Sequence, residues 1–202
     1  MILSRASRRA AALRLAFGLA SLVLPLAAPA QPAAALPGDS VYQLPVTLTD
    51  QSGHSAPWAA RRGSPQVVAM FYTNCAYVCP MTIDTLRHVV QSLPAAERAR
   101  LKLLIVSIDP ARDSVARLRQ VSRERHLDGA QWTLARTDAA GVRSIAAVLG
   151  VQYRRLPDGE FNHSTVLTLL DADGRIVAQT SQIGDPDPAF EGAVQAAVSA
   201  TH

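Results

Sequence analysis

Val67-Val68-Ala69-Met70-Phe71-Tyr72-Thr73-Asn74-Cys75-Ala76-Tyr77-Val78-Cys79-Pro80 contains both cysteines of the 202-residue chain. Its apolar first half, Val67 to Tyr72, has the length and residue types of a buried strand. Two small polar residues end that run and deliver Cys75 at the strand exit. Pro80 opens a helical pattern, because proline is tolerated in the first turn, where its missing N–H has no intrahelical partner. Both sulfurs are therefore expected on a strand-to-helix turn, near the positive end of a helix dipole. That environment favours thiolate, the form that attacks disulfides and binds metals. A structural disulfide is the competing reading. An i,i+4 bridge closes so short a loop that it stabilises by only about 2 kcal/mol, and a chain of this length can bury a core without it. The spacing therefore points to redox or metal chemistry.

The net charge of +4 is a property of the first 30 residues. Arg5, Arg8, Arg9 and Arg14 lie there without a single acid, and setting them aside leaves 16 basic against 16 acidic residues. A near-neutral remainder with no Lys/Arg stripe excludes a nucleic-acid footprint. Residues 1–30 read as an export signal: arginines, an apolar core from Leu15 to Ala27, and the small-residue motif Ala28-Pro29-Ala30. An uncleaved N-terminal anchor is the alternative, and it is the only membrane attachment expected. Residues 31–40, rich in Ala and Pro, read as a flexible tether, and residues 41–202 as one domain. Export would place the protein in the periplasm, where two idle thiols would oxidise. A thiol reductant or a bound metal is then needed to prevent it.

Along the domain, Leu44 to Thr49 and Ala56 to Ala60 read as the arms of an N-terminal β-hairpin turned at Asp50-Gln51-Ser52-Gly53. Helical periods run through Met81–Leu93, from Asp113 or Ser114 to about His126, and through Gly141–Leu149. They alternate with strands at Leu101–Ile108 and Trp132–Ala135. After Val151-Gln152-Tyr153 and a turn at Pro157-Asp158-Gly159, strands at Thr165–Leu170 and Arg175–Thr180 flank the turn Asp171-Ala172-Asp173-Gly174. A helix over 188–198 closes the chain. This order predicts an α/β fold with a central mixed sheet flanked by helices and an N-terminal β-hairpin. The cysteine pair at the end of the first central strand makes it thioredoxin-like.

That architecture singles out one histidine of five. His54 falls in a hairpin tip, His126 near a helix end, His202 at the terminus, and His88 two and a half turns beyond Cys79. His163 precedes a terminal strand, whose entry loop in such a fold faces the active-site cysteines. Two thiolates and one imidazole make a poor structural zinc set, which takes four ligands. They suit copper: thiolate selects Cu(I), and imidazole accepts Cu(I) or Cu(II). Asp109 reads equally as an orienting group or as a strand-end turn aspartate, and Met70 and Met81 as core packing.

Cys75-x-x-x-Cys79-Pro80, Val106-Ser107-Ile108-Asp109-Pro110-x-Arg112-Asp113, Asn162-His163-Ser164 and Asp171-x-Asp173-Gly174 together resemble the SCO/SenC family over about residues 40–184. The resemblance implies copper held by Cys75, Cys79 and His163. It further implies a role in assembling the binuclear copper centre of cytochrome c oxidase, with a subunit of that enzyme as acceptor. Where the family commonly has Pro-Asp-Val between its cysteines, this chain has Ala76-Tyr77-Val78, and the loop before His163 is shorter than in many members. The expected function is an exported copper metallochaperone. The alternative is a periplasmic thiol–disulfide oxidoreductase, with Cys75 attacking and Cys79 resolving. A thiol peroxidase would need a threonine or arginine beside Cys75, which linear sequence does not place.

Overall fold

Strand β3 (Gln66–Phe71) has every residue buried, because a neighbour pairs with it on each side. It runs parallel to β4 (Lys102–Ser107) and antiparallel to β8 (Leu167–Leu170). Uninterrupted apolar runs are what strands covered on both faces require. The computed structural model describes residues 35–75, 78–127 and 129–200. The expected signal segment, residues 31–34 of the tether, Ala76-Tyr77 and His202 lie outside them.

From β4 the sheet continues into β5 (Trp132–Arg136), in parallel. β5 then pairs antiparallel with β1 (Thr47–Asp50), itself in a hairpin with β2 (Ser55–Pro57). On the other side β8 pairs antiparallel with β9 (Ile176–Thr180), giving the order β2-β1-β5-β4-β3-β8-β9. Parallel neighbours need crossover helices. Here α1 (Val78–Ser92) joins β3 to β4, and α2 (Val115–Glu124) joins β4 to β5. α3 (Ala139–Val148) follows β5, and α4 (Pro188–Ser199) ends the fold. α1 packs against α4, and α2 against β5 and β1. The arrangement is the expected mixed α/β fold. No helix among the described residues is long and apolar enough to cross a membrane.

Three local expectations are corrected. The region between α3 and β8 is a second, two-stranded sheet, β6 (Tyr153–Arg155) with β7 (Phe161–His163), around the turn read at Pro157-Asp158-Gly159. Its strands are three residues long with Arg154, Arg155 and Asn162 exposed, too short and polar to show a period of two. The first strand begins at Thr47 because Val41–Gln43 form a single turn of 3-10 helix capped by Ser40. As one of the two alternatives expected, α2 is capped by Ser114, which accepts the Arg117 N–H, and Asp113 points inward. Residues 36–40, assigned to the tether, are fastened to the domain. The Ser40 hydroxyl donates to the Asp173 carbonyl at 2.6 Å, Asp39 pairs with Arg175 at 3.1 Å, and the Val41 N–H donates to the Gly174 carbonyl at 2.9 Å.

At that junction Gly174 has φ +82°, and a Cβ there would stand 2.5 Å from the buried Tyr42 ring. Backbone and packing both demand glycine. Gly174→Ala is expected to destabilise the domain by more than ~1 kcal/mol. A lower urea midpoint at unchanged slope would show it; an unchanged midpoint would mean that the Tyr42 ring yields without penalty.

Candidate metal site

β3 ends at Phe71, and the chain turns at once: the Cys75 N–H donates to the Tyr72 carbonyl at 3.3 Å. The Cys79 N–H, in the first turn of α1, then donates to the Cys75 sulfur at 3.4 Å. A sulfur thus takes one of the donors that a helix start leaves without a partner. No disulfide joins the two cysteines. Cys79 is only 5% exposed. Its hydrogen bond to Cys75 and its burial push its thiol well up, against a backbone hydrogen bond from Tyr72. Both causes act against the negative charge that the helix start favours at this turn.

The loop bearing Cys75 is held from below by Asp113, which is 1% exposed. Its Oδ2 accepts the Thr73 N–H at 3.1 Å and the Ser107 hydroxyl at 2.5 Å, and its Oδ1 accepts the Thr73 hydroxyl. Arg117 of α2 donates to the Thr73 hydroxyl oxygen and carbonyl, both at 3.3 Å. Cys75, Cys79, Thr73, Pro80, Arg117 and Val121 line a cleft of about 130 Å³. The threonine and arginine that a peroxidase needs are both there. The Thr73 proton, however, is committed to Asp113, so it is not offered to an oxidant. Of the two candidate caps of α2, Ser114 takes the role and leaves Asp113 to hold the cysteine loop.

His163 reaches the same end of the sheet on β7, opposite Tyr153. Its ring is half-buried and packs edge-on against Tyr72, centroids 5.9 Å apart, while Phe161 packs on the same ring at 5.3 Å. His163 Nδ1 lies 3.1 Å from the Ser164 carbonyl oxygen. An Nδ1–H there leaves Nε2 with its lone pair, the metal-binding form. The Tyr72 hydroxyl donates to Glu160 at 2.9 Å, and burial together with that bond pushes its phenol up. The two sulfurs are therefore adjacent, and the imidazole meets them through Tyr72. Among the described residues no three His, Cys, Asp or Glu side chains form a ready-made metal cage. The donors suit a soft ion, and closing three of them around it requires the cysteine loop and the hairpin to draw together.

Asp109 binds Arg112, which in turn donates to the Gly159 carbonyl at 2.6 Å and lies over the Phe161 ring at 5.9 Å. The aspartate thus acts on the hairpin that carries His163. Met70 is core, as expected, but Met81 is 46% exposed and is not. His54 and His126 are exposed, and His88 sits 3.3 Å from Glu191.

A family model described as SCO1/SenC matches residues 35–197. A protein named "Putative copper-binding protein" from Stutzerimonas stutzeri is 31% identical over 72 residues, 36% of this chain, and the match spans about a third (35%) of that relative. Bradyrhizobium japonicum ScoI with copper bound superposes with TM-score 0.62 at 23% identity, over 78% of this chain and 98% of that one. BsSco, a Sco-family cytochrome c oxidase assembly protein with a disulfide switch, gives TM-score 0.62 at 18% identity, over 76% and 91%. At these identities the structural likeness speaks for the fold.

Removing the Asp113 carboxylate leaves the Thr73 N–H and the Ser107 hydroxyl without their acceptor. Asp113→Ala should lower stability by about 1–3 kcal/mol and speed alkylation of Cys79 by iodoacetamide. Unchanged alkylation would show that the loop is held by other contacts.

Proposed function

Because the chain belongs to the SCO1/SenC family, we propose that it is an exported copper metallochaperone that loads copper on Cys75, Cys79 and His163. It then hands the ion to an acceptor such as the binuclear copper centre of a cytochrome c oxidase subunit. The observation that carries this reading is the meeting of two adjacent sulfurs and one half-buried imidazole at a single residue, Tyr72. Copper in ScoI and the oxidase-assembly role of BsSco support it as properties of similar proteins. Two sulfurs select Cu(I), and the imidazole lets the same set accept Cu(II). Three ligands leave a coordination position into which an acceptor's donor can enter before one of the chain's own leaves. Ligation requires deprotonated sulfurs, so uptake by the thiol form is accompanied by proton release.

A second reading is favoured by the hydrogen bond from the Cys79 N–H to the Cys75 sulfur, which holds the two cysteines side by side. Cys75, the more exposed, attacks a partner disulfide, and Cys79 then displaces the partner, leaving a Cys75–Cys79 disulfide for a periplasmic thiol reductant to reopen.

Titration of the reduced protein with Cu(I), followed by metal analysis, should give one copper per chain. Cys75→Ala and Cys79→Ala should abolish this loading, and His163→Ala should weaken it. Full loading of either cysteine variant would dismiss the carrier, whereas turnover of a model disulfide by metal-free protein would favour the reductase.

A further inference from the structure

Among the described residues the β6–β7 hairpin forms its own two-stranded sheet and pairs with no strand of the main one. Backbone ladders therefore do not set where His163 lies relative to the sulfurs; side chains must. One carboxylate makes most of that connection. Glu160 sits three residues before His163, and its Oε2 accepts the Tyr72 hydroxyl at 2.9 Å. Its Oε1 accepts the Asn74 side-chain N–H at 2.6 Å and lies 3.8 Å from the Arg112 guanidinium. Tyr72 and Asn74 belong to the loop that presents Cys75. Phe161 and His163, two residues apart on β7 and so on one face, close on the Tyr72 ring from the hairpin side.

We propose that Tyr72 and Glu160 form a latch that sets the His163 imidazole relative to Cys75 and Cys79, with Glu160 a positioning residue and not a ligand. The proposal rests on the ligand set given above. Both Glu160 oxygens already accept from protein donors, which is the pattern of an orienting carboxylate. Its side chain is 35% exposed, so the latch can open without moving the core. When it is closed, the imidazole is held where the sulfurs need a third donor; when it is open, the hairpin is joined to the loop by ring contacts and Arg112 alone.

The test uses the full chain in four variants, Glu160→Ala, Glu160→Gln, Tyr72→Phe and His163→Ala, and in the double variant Glu160→Ala/His163→Ala. Glu160→Ala should weaken Cu(II) binding about 10-fold or more, and Tyr72→Phe, which keeps the ring, should weaken it in the same direction. Amides of residues 153–163 should exchange faster in metal-free Glu160→Ala protein, while the Cys75–Cys79 reduction potential stays unchanged. Glu160→Gln, whose carbonyl still accepts the Tyr72 hydroxyl, should recover most of the affinity. In the His163→Ala background, Glu160→Ala should add no further loss, as a residue acting through His163 must behave. An equal loss with and without His163 overturns the latch, as does full affinity in Glu160→Ala when His163→Ala alone is weak. If His163→Ala binds normally, the ligand set itself fails and the latch falls with it.

Discussion

Asp113 takes a charge into the interior, and the local structure answers to it. A carboxylate this deeply buried is tolerated only when hydrogen bonds replace its water. It collects three donors from two strand ends: Thr73 twice, after β3, and Ser107 once, in β4. That requirement ties the exits of two parallel neighbours together and leaves the chain after Thr73 little freedom. Asn74 and Cys75 are turned outward, and Cys79 is drawn in beneath them. The position of the sulfurs is thus a consequence of satisfying one buried anion.

Around that fixed point the site is built in two pieces with different rigidity. The cysteine loop is continuous with the most buried strand of the sheet. The hairpin bearing His163 is a satellite, joined to the loop through Tyr72, Glu160 and Arg112. In the carrier proposed above, a donor on a separate hairpin would give the cargo a route off. A fully preassembled cage would bind more tightly and release more slowly. The adjacency of the sulfurs serves thiol chemistry equally well, which is why a metal reading and a disulfide reading both arise from one turn.

Much of this was legible in one dimension. Burial on both faces marks β3 and β4 as apolar runs, and Pro188 marks the start of the last helix. Turn chemistry marks Asp171 to Gly174. These signals are local, since each depends on residues within a few positions of one another. The hairpin holding His163 was not legible, because three-residue strands made of arginine, asparagine and histidine carry no periodic signal. The inward turn of Asp113 was not legible for a related reason: its partners Thr73 and Ser107 are 40 and 6 residues away, and nothing local distinguishes which of Asp113 and Ser114 caps α2 and which is a buried acceptor. Met81, read as core, faces outward because helical period alone does not say which flank of α1 the domain covers.

By itself the sequence determined the order of elements, the mixed α/β class, the strand-to-helix turn that holds Cys75 and Cys79, and His163 as the histidine to watch. These follow from hydrophobic period, turn chemistry and residue type, which act over short stretches of chain. The tertiary structure alone decided that Cys79 is buried, that Asp113 faces inward, and that Tyr72 and Glu160 stand where hairpin and cysteine loop meet. Packing and long-range hydrogen bonds set burial and position, and neither exists until residues far apart in the chain are brought into contact.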